Sequence, residues 1–275
     1  MPVCSPRLFF NREAVNDVAS LLGRFGSGAF ASPFRSTVPL VALVKDDWLV
    51  FEGIASACGA GADLSVHFEY QVEVPGSLGN PSQTDAMVLS PTAVVAVEAK
   101  WTESRYETVT ARLKNRVNHL TRKDPYNADR HQRDQEAVIS GWLTLLNRQC
   151  STALEIGDVS EVVYQTLHRA ASACALSRPP RLAYLHFRHP TGGATSAVPY
   201  SADLRYLHSR LGDPREFPFY LITVPLEPTD AFRTIQALIK GAPDTDQKVR
   251  DAICTDRLFA FGEPQVERIG MIQGL

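Results

Sequence analysis

Two carboxylates and a lysine lie at the ends of two apolar segments in the first half of the chain. Asp85 opens the segment 85–89, and Glu98 and Lys100 close the segment 93–100. Side chains two residues apart on a strand share a face, so a hairpin turn at 90–92 would bring Asp85 beside Glu98 and Lys100. Two carboxylates with an ammonium can bind a divalent cation next to a phosphate. This pattern indicates nuclease chemistry, and the alternative is an ion pair at the end of a sheet strand.

The segments that carry these residues resemble the PD-(D/E)xK nuclease superfamily and, more narrowly, a bacterial family of predicted restriction endonucleases. The similar segments are 66–70, 81–86 and 97–103, and the detailed match covers about 66–105. The resemblance implies that Asp85 and Glu98 are metal ligands and that Lys100 positions or activates the attacking water. Because the ligands are hard oxygens, we expect the metal to be Mg²⁺, with Mn²⁺ as a substitute. The resemblance also implies a restriction-endonuclease-like core, DNA as the substrate and a role in restriction or defence against foreign DNA.

Two further glutamates are candidates to complete the metal shell. Glu52 is the only charged residue in the apolar segment 48–55, and superfamily members often present a glutamate from the helix before the sheet. Glu69 is the rival, because it lies on the strand before Asp85, where alternation predicts Phe68 and Tyr70 on the opposite face. The residues alone leave the choice between Glu52 and Glu69 open.

Polar residues on a later helix are candidates for support of the site. Gln165 and Arg169 lie one helical turn apart in an otherwise apolar segment. In the superfamily a polar residue on such a helix often supports the lysine or contacts phosphate, and the alternative is an ordinary half-exposed helix face. No third potential ligand lies near His186 and His189 at a spacing typical of metal sites. We therefore expect both histidines to have structural roles.

A basic segment follows the second strand directly. Between residues 105 and 133, eight Lys and Arg residues stand against three Asp and Glu. The candidates for contact with the DNA backbone are Arg112, Lys114, Arg116, Arg122 and Lys123. The alternative is a solvated helix face without a partner.

Hydrophobic periodicity predicts a three-layer α/β fold in which helices cover a mixed central sheet. Helices are predicted at 12–23, 47–58, 106–124, 130–148, 159–176 and 230–241, and strands at 64–74, 85–89, 93–100, 182–187 and 219–224. The segment 188–199 is predicted as an exposed loop and 242–257 as a mobile charged segment. We expect one domain over 1–275, with its core at about 45–225.

Composition narrows the classes of protein. The 275 residues are 44% hydrophobic and 21% charged, with a formal net charge of −2, as in a globular domain. No apolar run has the length of a membrane span, and five scattered cysteines without a Cys-x-x-Cys pair predict a cytoplasmic protein. The sequence leaves open whether the protein forms a homodimer or binds partner subunits. The alternative function is a catalytically silent or partner-dependent DNA-binding module of the same fold.

Overall fold

The structure is a computed structural model of the chain, and it describes residues 6–76, 81–189, 196–240 and 242–270. The strands are β1 (Arg7–Phe10), β2 (Glu13–Val15), β3 (Ser65–Val72), β4 (Ser82–Leu89), β5 (Val94–Lys100), β6 (Pro180–Arg188), β7 (Phe219–Pro228), β8 (Phe259–Phe261) and β9 (Gln265–Arg268). The α-helices are α1 (Val18–Arg24), α2 (Thr37–Asp46), α3 (Trp48–Ala57), α4 (Val109–Lys123), α5 (Ala128–Leu146), α6 (Tyr164–Ala173), α7 (Val198–Arg210), α8 (Asp230–Leu238) and α9 (Thr245–Thr255).

A single mixed sheet joins these strands in the order β2-β1-β3-β4-β5-β6-β7-β8, and β9 also pairs with β7. The strands β3, β4 and β5, which match the predicted strands 64–74, 85–89 and 93–100, form an antiparallel meander. The strands β5, β6 and β7 run parallel, because helical crossovers connect them. Towards the edges the pairing changes again, since β1 runs parallel to β3, and β8 and β9 run antiparallel to β7.

Helices cover both faces of the sheet and confirm the three-layer α/β architecture. One hydrophobic cluster packs α1, α2, α3, α8 and α9 against the first face, and it includes Val95, Val97 and Ala99 of β5. A second cluster packs α5, α6 and α7 against the other face, and it includes Val94 and Ala96 of β5. The alternation of β5 between the two clusters is the pattern expected of a central strand that is buried on both sides.

The strands β4 and β5 form a hairpin with its turn at 90–92, as predicted. Ala86 pairs with Val97 and Leu89 with Val94, and the Ser90 N–H donates to the Ala93 carbonyl at 3.0 Å in the turn. All seven residues of β5 are buried. The two charged residues of β5 therefore enter a layer where each needs a partner.

Three predicted segments are wrong in the structure. Residues 13–15 form the strand β2 rather than helix, because Asn11 adopts a left-handed backbone conformation (φ 53°) that turns the chain back onto β1. Residues 245–255 form α9, in which Val249 and Ile253 are buried, so that part of the predicted mobile segment is ordered helix. The end of the predicted loop 188–199 begins the helix α7; residues 190–195 lie outside the described part.

Candidate functional site

The hairpin brings Asp85, Glu98 and Lys100 together on the face of the sheet that α6 covers. Asp85 Oδ2 accepts a hydrogen bond from the backbone N–H of Ala99 at 2.8 Å. Lys100 Nζ donates to Glu98 Oε1 at 2.8 Å, and the two residues are only 3% and 1% exposed. The three residues with the predicted chemistry are therefore neighbours in a largely buried cluster.

The helix α6 contributes two more members of this cluster. Gln165 Nε2 donates to Glu98 Oε1 at 2.6 Å, and the guanidinium of Arg169 donates from Nε to Glu98 Oε2. Arg169 Nη2 also lies 3.9 Å from Asp85 Oδ1. The spacing of four residues places both side chains on one face of α6, as predicted. Glu98 thus accepts hydrogen bonds from Lys100, Gln165 and Arg169 together.

Glu69 lies next to the cluster because the backbone of β3 changes direction there. Its φ is +50°, which is unusual for a residue with a side chain. Phe68 packs in the cluster of the first face and Tyr70 in that of the second, so the predicted alternation that placed them on one face is wrong. Glu69 interacts electrostatically with Glu98 and Arg169.

The structure does not bring Glu52 to the cluster. The helix α3 packs through Phe51 and Ile54 against the first face of the sheet, whereas Glu98 and Lys100 point to the opposite face. The prediction of Glu52 as a third ligand is therefore not supported by its position. The apolar surroundings in the sequence reflect the packing of α3, and Glu52 itself is only half-buried.

A cavity of about 350 Å³ opens beside the cluster. Gln165 and Arg169 form part of its wall, and Tyr106 and Arg112 form another part. The Lys100 ammonium lies 4.9 Å from the centre of the Tyr106 ring. The cavity therefore adjoins the charged cluster through Tyr106, Gln165 and Arg169.

Of the five predicted DNA-binding residues, only Arg112 lines this cavity. Its guanidinium forms an ion pair with Glu107 at 3.4 Å and lies 5.4 Å from the centre of the Tyr164 ring. Lys114, Arg116, Arg122 and Lys123 are exposed on later turns of α4. Arg112, Arg116 and Lys123 are spaced as one stripe on the helix, so the basic surface runs from the cavity along α4.

Ser82 and His168 belong to the site but were not identified from the sequence. Ser82 Oγ lies 2.8 Å from His168 Nδ1 and accepts a hydrogen bond from Arg169 Nη1 at 2.9 Å. Ser82 lies close to Asp85 in the segment with the family resemblance, which was the only available signal. His168 has no local signal, because its contact is with a strand far away in the sequence.

The comparison with known families covers most of this site. Residues 14–183 match a domain of unknown function, DUF6946. The chain belongs to the DUF6946 family. No curated protein and no solved structure matches it. The DUF6946 match includes the charged cluster and the cavity, and it ends inside β6, before β7, β8 and β9.

Burial and the two cations set the protonation of the cluster in this DUF6946 chain. Burial acts to raise the pKa of Glu98, but Arg169 and Lys100 outweigh it and hold this pKa below its ordinary value. Burial, followed by the charge of Glu98, raises the pKa of Asp85 to about 8. Burial acts to lower the pKa of Lys100, but Glu98 and Asp85 outweigh it and raise this pKa. Lys100 is therefore a cation, and Asp85 is the carboxylate whose negative charge is least neutralised by neighbouring groups.

The donor set fits a divalent cation that takes only two carboxylates from the protein. Within the described ranges, no group of three or more His, Cys, Asp and Glu side chains is placed to hold a metal ion. Asp85 and Glu98 are hard oxygen donors, and Mg²⁺ is commonly bound by one or two carboxylates together with water and substrate phosphate. Asp85, which is 25% exposed, is the accessible one of the two.

No helix in the described part of this DUF6946 chain has the length and apolar character needed to cross a bilayer. His186 is buried on β6, and its ring centre lies 5.8 Å from that of Tyr200.

Proposed function

We propose that this protein is a Mg²⁺-dependent nuclease that hydrolyses phosphodiester bonds of DNA. The observation that carries the proposal is the convergence of Asp85, Glu98 and Lys100 from the β4–β5 hairpin onto one face of the sheet. The charged cluster adjoins a cavity from which a basic helix extends, which suits a polyanionic substrate. The family resemblance extends the proposal to restriction or defence against foreign DNA.

In this proposal Asp85 and Glu98 hold the cation, with the main-chain carbonyl of Ala99 as a further oxygen donor. The bound ion would lower the pKa of a water molecule and neutralise charge on the reacting phosphate. Lys100 stays protonated, so it acts as a hydrogen-bond donor that orients the water or stabilises negative charge, and not as a base. Arg169 and Gln165 fix the orientation of Glu98.

A catalytically silent DNA-binding module is the second candidate. Glu98 already accepts hydrogen bonds at both oxygens, from Lys100 and Gln165 at one and Arg169 at the other. Such a carboxylate is satisfied without a metal ion, so the cluster could serve as a buried structural network. A nuclease that needs a partner subunit would have the same cluster and remain silent alone.

Free Cys58 and Cys174, both buried, suit a reducing compartment, and we include a cytoplasmic location in the proposal.

Cleavage of supercoiled plasmid with Mg²⁺, Mn²⁺ or EDTA tests the proposal. We expect nicking or linearisation that requires a metal ion and falls by at least about a hundredfold in Lys100→Ala and Asp85→Asn, as for loss of a charge that stabilises the transition state. Lys248→Ala is the control, because this half-exposed lysine lies on α9, away from the cluster, and pairs with Asp244.

The variants separate the candidates. Cleavage that survives both substitutions, or that continues in EDTA, would contradict the proposed site. Plasmid that is bound in a gel shift but never cut would favour the silent or partner-dependent module.

A further inference from the structure

The cavity beside the charged cluster has the size and wall chemistry of a small-ligand pocket. Its volume of about 350 Å³ lies within the range of about 300 to 1,000 Å³ that is typical of such pockets. Tyr106, Trp142 and Tyr164 supply aromatic surface to the wall. The His168 ring lies 4.9 Å from the Tyr164 ring and 6.1 Å from the Trp142 ring, so three rings from α5 and α6 form one continuous wall.

Trp142 carries a hydrogen-bond donor without a partner. The residue is 1% exposed, and in the part of the chain that the structure describes its buried indole Nε1 has no acceptor. A buried N–H without an acceptor is destabilising, so native proteins seldom keep one without a reason. Since Trp142 lines the cavity, a ligand there can supply the missing acceptor.

Other polar groups of the wall include further donors, together with the carboxylate of Glu107. Arg169 Nη1 lies 3.3 Å from His168 Nδ1 and can only donate, so the proton of a neutral His168 ring is on Nε2. Arg112 places a guanidinium at the rim, where its side chain is 47% exposed and only partly neutralised by Glu107. The wall therefore combines aromatic rings, N–H donors and one accessible cation.

We propose that this cavity binds a single nucleotide, with the base against the wall of Tyr164, His168 and Trp142 and the phosphate near Arg112. Aromatic rings stack on any base, and a guanidinium pairs with phosphate. The choice of a nucleotide rests on the proposed nuclease function, because the cavity adjoins Arg169 and Gln165 of the cluster. The nucleotide can come from a free pool or from the nucleic-acid strand that is being cut.

Calorimetric titration in EDTA tests this inference without cleavage. The probes are the four deoxynucleoside monophosphates and a short single-stranded oligonucleotide, each added to the full chain. We expect saturable binding that weakens by about tenfold or more in Tyr164→Ala, through lost stacking. Trp142→Phe keeps the ring and removes only the N–H, so we expect a loss of about fivefold.

Two further variants test the phosphate contact and the specificity of the tyrosine effect. Arg112→Ala removes an exposed side chain without disturbing the core, and we expect it to weaken binding severalfold even if Tyr164→Ala proves unstable. Tyr206→Ala removes a half-exposed tyrosine of α7 that does not line the cavity, and we expect unchanged affinity. Affinity equal to wild type in both Arg112→Ala and Trp142→Phe would overturn the inference.

The two probe classes identify the source of the nucleotide. Binding of monophosphates that depends on Arg112 supports a free nucleotide, and binding of the oligonucleotide alone supports a unit of the strand. Absence of binding by every probe overturns the inference, even if plasmid is cleaved. Nucleotide binding without cleavage in any metal would instead contradict the proposed function.

Discussion

Asp85 is the carboxylate of the cluster whose charge is least compensated. Glu98 takes the direct contacts of Lys100 and Arg169, while Asp85 receives one backbone N–H and lies 3.9 Å from Arg169. Three carboxylates, counting Glu69, face two cations, which leaves one negative charge in excess when all are ionised. The cluster therefore favours either a proton on Asp85 or an added cation.

We predict that Asp85→Asn stabilises the metal-free protein increasingly as pH rises. The pKa of Asp85 is raised in the folded state to about 8 from an ordinary value of 3.8. A raised folded pKa gives stability that is complete below the unfolded pKa and is lost as pH rises to the folded one. The free energy of unfolding of wild type should thus fall, relative to the variant, by up to about 1.4 kcal/mol per pH unit between about pH 4 and 8.

Urea unfolding in EDTA at several pH values measures this difference. The asparagine oxygen can still accept the Ala99 N–H, so the variant isolates the charge. Added Mg²⁺ should stabilise wild type and not the variant. A difference in stability that does not change with pH would show that Asp85 is ionised without cost.

At the residue level, strand alternation was sufficient to predict Asp85, Glu98 and Lys100 as neighbours. The position of Glu69 could not be predicted, since a positive φ interrupts the alternation on which the argument depended. Glu52 was misjudged because one charge in an apolar helix looks the same in sequence whether it faces the site or the solvent.

At the scale of the element, α4 is a basic helix with little contact to the core. Val109 is its only buried residue among those the structure describes, and the helix packs mainly against α5. Such a helix keeps its charges in solvent, where they can reach a DNA backbone. The stripe of Arg116 and Lys123 continues from Arg112 at the cavity.

We predict that the double variant Arg116→Ala/Lys123→Ala weakens DNA binding without changing sequence preference. Each lost phosphate contact should reduce the slope of log K against log salt concentration by about 0.9. Fluorescence anisotropy of a labelled duplex, measured in EDTA over a range of salt, gives both the affinity and the slope.

The matched control for α4 removes two positive charges from other helices. Arg233→Ala/Lys248→Ala deletes an exposed cation from α8 and a half-exposed one from α9, and these helices cover the other face of the sheet. An equal loss of affinity in the control would mean that net charge, and not α4, governs binding. In that case the basic helix is the solvated face of the alternative interpretation.

Elements with a strong hydrophobic pattern, such as β7 and α8, were predictable, whereas the short strands β1, β2, β8 and β9 and the helices α2, α7 and α9 were not. The meander and α6 follow from local pattern. The helix α9 was missed because its buried face has few apolar residues, and one of its anchors is Arg250, which donates to backbone carbonyls near α1. A polar anchor of this kind leaves no periodic signal in the sequence.

For the whole molecule, one sheet is the shared wall of two hydrophobic clusters. Both clusters contain residues of β4, β5, β6 and β7, so neither can form without the sheet. The DUF6946 match ends at residue 183, inside β6, while β7 contributes to both clusters, α8 and α9 to the first and α7 to the second. The part of the chain beyond the match is therefore structurally necessary to the site.

We predict that the chain unfolds as one cooperative unit. Trp48 and Trp101 pack with the first cluster and Trp142 with the second, so tryptophan fluorescence can report on each side. Trp142→Phe leaves only the first-side signal, and Trp48→Phe/Trp101→Phe leaves only the second. In each variant we expect the urea midpoint from fluorescence to equal that from far-UV circular dichroism, because loss of either cluster exposes the shared sheet. A fluorescence transition that precedes the circular dichroism transition in one variant would show that its cluster unfolds alone, and the single-domain prediction would then be wrong.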